Sequence, residues 1–419
     1  MAATDTHQAI ETVFRIERAR LIAGLTRLVR DVGTAEELAQ DALVAALAGW
    51  PRSGVPERPG AWLMATAKRR AIDQFRRERM RAEKHAAIGR EMVADTGGAE
   101  AIDAALDDEV GDELLGLMFV ACHPVLSREA RVALTLRLVG GLTTGEIARA
   151  FLAPEPTIAQ RIVRAKKTLG ASGLAYEVPR GKARQERLGS VLEVIYLIFN
   201  EGYAATAGED LIRPALCAEA RRLGAILAGL APQEPEVFGL VALMDIQASR
   251  FSARVAADGS LVPLTRQNRA SWDRLLIRRG LAALDRAVAL GGEDGAYVLQ
   301  AALAACHARA ARAEDTDWAR IAGLYDRLRA VTPSPVVDLN RAIAHSMAFG
   351  PAVGLALLSD LEAEGALCAY APLWAAKGDF LFRSGRMPEA KAAFERAASL
   401  SRNAPEQAFL LQRAADCDD

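Results

Sequence analysis

Residues 126–169 read LSREARVALTLRLVGGLTTGEIARAFLAPEPTIAQRIVRAKKTL, and the reading of this stretch decides the fold. Ser127 is placed to cap a helix that runs through Val139, where Gly140-Gly141 stops it. Thr143, followed three residues later by Glu146, is a capping box that opens a short helix over 144–151. A third helix starts near Pro156. It carries Ile158, Ile162, Ala165 and Leu169 on one face, with Gln160, Arg161, Arg164 and Lys167 opposite. Two helices joined by a tight turn, the second of them basic, form a helix-turn-helix, which sets side chains against base edges in a major groove. No acid falls between Pro156 and Gly170, so the helix can meet a phosphate field with little opposition. An ordinary helical hairpin with a solvated basic face gives much the same pattern, so the reading needs support from elsewhere.

That support lies upstream, in residues 34–84. Thr34 and Glu37 suggest another capping box, opening an amphipathic helix that buries Leu38, Ala42, Ala45 and Ala46 and exposes Glu36, Glu37, Gln40 and Asp41. The loop PRSGVPERPG follows, and Pro59 near its end is a favoured helix-start residue. Then comes AWLMATAKRRAIDQFRRERMRAEK, in which residues 66–84 hold eight Lys or Arg against Asp73, Glu78 and Glu83. Arg69 and Arg76, and likewise Arg70 and Arg77, recur at seven-residue spacing and so form stripes along a helix. Trp62, Ala65, Ile72 and Phe75 are expected on its core side. A charge run usually means a solvated face. A paired basic stripe beside a tryptophan-bearing loop–helix junction suits backbone tracking plus base contact.

Together these segments resemble a bacterial RNA polymerase sigma factor of the extracytoplasmic-function (ECF) type. TAEELAQDALVAALAGW resembles the helix that docks on the polymerase clamp, PGAWLMATAKRRAIDQFRRER the segment for the promoter −10 element, and residues 126–169 the region that reads the −35 element. The resemblance implies polymerase contacts, to the β′ clamp helices and the β flap, through Glu36, Glu37, Leu38, Gln40 and Asp41. It implies −10 contacts through Lys68, Arg69, Arg70, Arg76 and Arg77, with residues 50–60 cupping an extruded base. Trp62 is either a stacking surface there or a core tryptophan. On the −35 side it implies base readout by Thr157, Gln160, Arg161 and Arg164. Lys166 and Lys167 would hold the backbone, and Glu155 and Pro156 would sit at the helix entrance. A bidentate Arg or Gln contact to a base is worth ~1–3 kcal/mol of discrimination.

An acidic stretch, residues 91–113, separates the two modules. It holds nine acids and no Lys or Arg, which predicts an extended linker. In the family such a linker threads the polymerase toward the RNA exit path. The expected layout is 1–84 for region 2, 85–112 for the linker and 113–172 for region 4.

Composition bounds the remainder. A chain of 419 residues has room for two to four domains. With 51% hydrophobic and 5% aromatic residues, rich in Ala and Leu, it fits an all-α protein. Net charge is −1, so the basicity is local rather than general. The opening MAATDTHQAIETVFRIERAR lacks the apolar core of a secretory leader, and no run of about 18 apolar residues occurs, so a cytoplasmic, membrane-free protein is expected. Five scattered cysteines without a CxxC point to free thiols. Neither a metal-binding HExxH, a glycine-rich phosphate loop nor a nucleophile elbow is present, so neither catalysis nor a cofactor is expected.

The second half reads as helical throughout. The apolar run 191–199 is a buried helix ended by Asn200, Glu201 and Tyr203. Helices over 215–230 and 236–251 follow, then a loop or short hairpin around Asp258-Gly259. After that a 34-residue repeat emerges, linking Ala310, Ala344 and Gly378, and Ala322, Ala356 and Ala390. In the last copy Trp374, Gly378, Leu381, Ala390, Phe394 and Ala397 fit tetratricopeptide spacing, and the middle copy keeps Ala363. These segments resemble the extension of one ECF group, with a DUF6596-like domain over 185–285 and tetratricopeptide-like repeats over 286–419. In that group the tail is the control element and a small DGPF/YCII-like protein is a candidate partner. RQNRASWD departs from the group pattern at Arg266, where an acid is usual. The rival reading is a helix-turn-helix regulator with a tetratricopeptide-like sensor that never binds polymerase.

Overall fold

The computed structural model describes residues 3–86, 110–151, 153–172, 179, 181–203, 213–256, 262–365, 367–401 and 404–418. Most of the acidic stretch 91–113, and Asp258-Gly259, lie outside the described residues. Every regular element among those described is a helix, and the chain divides into two compact units, residues 1–195 and 196–419.

In the first unit, α1 (Ala3–Val29), α2 (Val32–Ser53) and α3 (Pro59–Ala86) pack around Phe14, Leu21, Leu25, Leu38, Trp50 and Leu63. The cap of α2 is not Thr34. Asp31 holds that place, accepting from the Thr34 backbone N–H at 2.6 Å and from its hydroxyl at 2.8 Å. An aspartate three residues ahead is the better acceptor, so Thr34 becomes a donor and the helix starts three residues earlier. The helix also runs further than the loop reading allowed. It continues through Pro51 to Ser53 and ends at Gly54, whose φ of +81° favours glycine. Trp50 is therefore a core residue at the end of a helix, 1% exposed and edge-on to Trp62 at 5.2 Å.

The face of α3 also differs from expectation. Leu63, Ala67 and Ala71 form its buried stripe, Trp62 and Ile72 are half-buried, and Ala65 and Phe75 are exposed. Small alanines let α3 lie close on its neighbours, which turns the larger Phe75 outward.

Next, α4 (Val110–Ala121) packs on α1 and on α5 (Arg128–Leu138). Ser127 caps α5, accepting from the Ala130 N–H at 3.3 Å. The short α6 (Thr144–Ala150) opens with the full capping box, Thr143 N–H to Glu146 Oε2 at 2.7 Å and Glu146 N–H to Thr143 Oγ1 at 3.1 Å. It is followed by α7 (Glu155–Ala171), whose buried residues are Ile158, Ile162, Ala165 and Leu169. The unit does not stop near residue 172. From α8 (Gly181–Tyr203), Glu193 pairs with Arg128 and Arg131, and Ser190 donates to the Cys122 carbonyl at 2.6 Å.

In the second unit, the end of α8 is followed by α9 (Pro214–Leu230), α10 (Pro235–Ala248), the single turn α11 (Phe251–Arg254), α12 (Arg274–Ala289) and α13 (Ala296–Arg309). Helix α10 is apolar nearly all round and lies among α9, α12 and α13. Glycines permit that crowding: a Cβ on Gly239 would come within 2.7 Å of Val298, and one on Gly280 within 2.6 Å of Ile246. Paired helices complete the unit: α14 (Trp318–Val331), α15 (Pro335–Phe349), α16 (Pro351–Glu364), α17 (Ala371–Arg383), α18 (Met387–Leu400) and α19 (Ala404–Ala415). The last repeat packs as its spacing predicts. Gly378 lies under the Phe394 ring, and Leu381, Ala390 and Ala397 are buried. The middle copy departs from it, because Ala356 and Ala363 are exposed and Gly354 makes the close approach instead, facing Ser346 and Phe380.

Candidate nucleic-acid interface

The capping box fixes the turn ahead of α7, and the four buried residues of α7 fix its rotation. The opposite face is thereby presented to solvent: Glu155, Pro156, Thr157, Gln160, Arg164 and Lys167 are exposed, and Arg161 is half-buried. Val163, 64% exposed, sits on this face and was not anticipated from sequence. The available signal was an apolar residue out of phase with the buried stripe. A methyl-bearing side chain between Gln160 and Lys167 suits contact with a thymine methyl.

On α3, Arg69, Arg76 and Arg77 are exposed, while Lys68 and Arg70 are half-buried. Arg70 is tied to Asp41 of α2 at 3.1 Å, and Arg77 donates to the Asp73 carbonyl at 3.2 Å. Phe75 is 43% exposed among these cations, an aromatic surface that the sequence reading had assigned to the core. Trp62, by contrast, is half-buried against Trp50.

The residues expected to face polymerase separate into two sets. Glu37, Gln40 and Asp41 are exposed on α2. Leu38 is 3% exposed and belongs to the core, as an apolar residue on the inner face of an amphipathic helix must. Glu36 is not a surface residue at all. It is 6% exposed and bonded to Arg18 of α1 at 2.6 Å, Arg137 of α5 at 2.7 Å and Lys166 of α7 at 2.5 Å. Burial alone would raise its carboxyl pKa, but Lys166, then Arg137, then Arg18 outweigh this and hold it below the usual carboxylate range. Burial and the neighbouring Arg137 in turn lower the Arg18 guanidinium. A buried carboxylate needs partners for its charge and lone pairs. Here they come from both helical modules of the first unit, so Lys166 of α7 is held by α2 rather than standing free.

Comparison with known proteins gives this geometry its context. Residues 13–81 match the model for Sigma-70 region 2, 117–169 that for Sigma-70, region 4, and 187–288 a family of unknown function, DUF6596. An ECF RNA polymerase sigma factor SigK of Mycolicibacterium vanbaalenii is 30% identical over 173 residues, 39% of this chain and 84% of that protein. The chain belongs to the ECF RNA polymerase sigma factors. This sigma factor is also 28% identical over 182 residues to a probable ECF RNA polymerase sigma factor SigI of Mycobacterium tuberculosis, 42% of this chain and 60% of that one. An uncharacterized protein of Rhizobium meliloti, R00370, is similar over nearly the whole length, 41% identical across 395 residues, 94% of this chain and 92% of the relative. The DUF6596 match marks residues 187–288 as a feature beyond the shared sigma regions. Among the described residues no helix is long and apolar enough to cross a membrane, and no cluster of His, Cys, Asp or Glu is built to hold a metal ion. Cys122, Cys217 and Cys306 are buried free thiols.

Proposed function

We propose that this chain binds core RNA polymerase and directs promoter recognition and DNA melting, and that its second unit regulates it. The observation that carries the reading is the solvent-facing surface of α7, where Thr157, Gln160, Arg161 and Arg164 are set for base readout at a −35 element. Lys167 lies beside them for the phosphate backbone. Arg69, Arg76, Arg77 and Phe75 on α3 supply cations and a stacking surface for the opened −10 strand. Extruding a base costs a few kcal/mol, and an exposed ring is one way to offset that. Glu37, Gln40 and Asp41 offer a polar α2 surface to the β′ clamp helices, with the β flap as a second polymerase contact. A DGPF/YCII-like protein is the partner proposed for the second unit.

The Glu36 cluster adds a constraint. The two promoter elements are about 25 base pairs apart by their names, roughly 85 Å of duplex at ~3.4 Å per pair. With α7 joined by a 2.5 Å ion pair to α2, on which α3 packs, α3 and α7 cannot reach both elements at once. The arrangement is therefore a closed one, and engagement of polymerase and promoter has to break the Glu36 contacts to Arg137 and Lys166.

Run-off transcription with core polymerase tests the proposal. Full-length protein should yield a specific transcript, and Arg164→Ala should weaken −35 binding in a sequence-dependent manner, whereas a uniform loss would make Arg164 a phosphate contact. A truncation after Tyr203, which keeps Ser190 and Glu193 on their partners, tests regulation: higher activity marks the second unit as inhibitory, and loss marks it as a required support. Promoter binding without any binding to core polymerase would favour the helix-turn-helix regulator.

A further inference from the structure

The second unit encloses a cavity of about 580 Å³ bounded by the end of α8, α10, α13, α14 and α15. That volume is in the range of small-molecule sites. Its walls include the aromatic rings of Tyr196, Phe199, Tyr203, Trp318 and Tyr325. Leu243, Leu303 and Ile321 fill the gaps, and Asn200, Gln300 and Asn340 add amides. Among the lining residues there is one side chain with a full positive charge, Arg250, and no carboxylate.

Arg250 is the unusual group. Its Nε donates to Gln267 at 3.2 Å and its Nη1 to Gln247 at 3.0 Å, and its guanidinium lies over the Trp272 ring at 5.4 Å. Those partners are neutral. Among the described residues no acid is ion-paired with it, whereas the buried Asp245 and the half-buried Arg213 have partners of opposite sign in Arg221 and Glu201, and the buried Arg269 is held by the His307 and Ala310 carbonyls and the Thr316 hydroxyl. Neighbouring Arg254 and Arg269 add positive potential. Arg250 is half-buried; a cation partly withdrawn from water without an anion is unfavourable, and a ligand that supplies the anion offsets that on binding.

His307 supports the same reading. Its Nδ1 is buried with no hydrogen-bond partner, and its ring stands edge-on to Trp318 at 5.2 Å. Burial, then Arg250 and Arg269, push its pKa down to about 4, so the imidazole is neutral at pH 7 and Arg250 holds the cavity's charge.

We infer that this cavity is a binding site for a small aromatic carboxylate, with Arg250 pairing the carboxylate and Trp318, Tyr196 and Tyr325 enclosing the ring. The chemistry divides cleanly: a flat apolar body satisfies the walls, and a single negative charge satisfies Arg250, the one cation among the lining residues. The site lies wholly within the second unit and does not rest on the sigma-factor reading.

Equilibrium dialysis of full-length protein against 2-naphthoate and its neutral analogue 2-naphthylmethanol tests the inference. Wild type should bind naphthoate with one-to-one stoichiometry, at least tenfold more tightly than the alcohol. Arg250→Gln should bring naphthoate to the level of the alcohol while leaving alcohol binding unchanged, and Ala304→Phe, which fills the cavity, should abolish both. Should Arg250→Gln fail to fold, the acid-to-alcohol ratio of wild type still decides. Equal affinity for the two probes, or binding of neither at millimolar concentration, overturns the proposal.

Discussion

Two charged side chains in this molecule, the buried Glu36 and the half-buried Arg250, have opposite surroundings. Glu36 in the first unit is met by three cations at 2.5–2.7 Å, contributed by α1, α5 and α7. Arg250 in the second unit is met by two glutamine oxygens and a tryptophan face, beside a cavity of about 580 Å³. A buried charge satisfied by its own chain is a fastener: it fixes which elements meet. One left without an opposite charge beside a cavity is a place where a ligand can supply it. The same desolvation cost underlies both, and what differs is where the compensating charge comes from.

The largest expected effect tests the fastener. Glu36→Gln leaves Arg18, Arg137 and Lys166 without their shared anion, and removing one partner of a buried pair typically costs ~3–5 kcal/mol. Denaturant unfolding followed in the first unit should show a loss of that order. A loss below about 1 kcal/mol would mean that the cluster contributes little more than a surface pair.

Acid acts on the same carboxylate. The folded Glu36 pKa is depressed below its unfolded value near 4.5, so its contribution is present above that pH and is lost as pH falls through the lower folded value. The separation of α2 from α7 should therefore begin below about pH 4.5 in wild type and be absent as a distinct transition in Glu36→Gln. An identical acid profile for both proteins would remove Glu36 from the account.

Lys166→Met should act more mildly. It deletes one of the three cations, is about a quarter exposed, and leaves Arg18 and Arg137 in place. A destabilisation of about 1 kcal/mol is expected, with tighter association to core polymerase because the closed arrangement is weakened. Weaker association would place Lys166 in the polymerase contact instead.

The smallest effect should come from the unpaired cation. Arg250→Gln removes a half-buried charge with no ion-pair partner, so the thermal midpoint of the second unit should stay unchanged or rise slightly. A clear drop would show that Arg250 serves packing rather than a ligand, and would erase the contrast with Glu36.

Much of this was legible in the sequence, for identifiable reasons. The α6 cap and the buried face of α7 follow from local rules, a capping box and a 3.6-residue period, and both are met residue for residue. Local rules failed where two candidates competed or where tertiary packing decided. Asp31 displaced Thr34 as the α2 cap. Alanines rather than Phe75 took the core side of α3, because close helix approach favours small residues. The 34-residue spacing holds in the last repeat but sets Ala356 on the surface, since an alanine-rich chain offers many equivalent registers. Glu36 and Arg250 were beyond reach for a different reason. Their partners lie up to 130 residues away in sequence for Glu36, and for Arg250 the informative fact is that no acid among the described residues pairs with it.

The most direct test of the closed arrangement is a distance between α2 and α7 in full-length protein. Dyes placed at the exposed Ala48 and Thr168 through unnatural amino acids stay off the residues assigned to polymerase and base contacts and avoid the exposed thiol of Cys368. Free protein should give a single population of high energy transfer, shifting to low transfer when core polymerase and promoter duplex are added. Low transfer in the free protein, or no change on adding polymerase and promoter, would contradict the account.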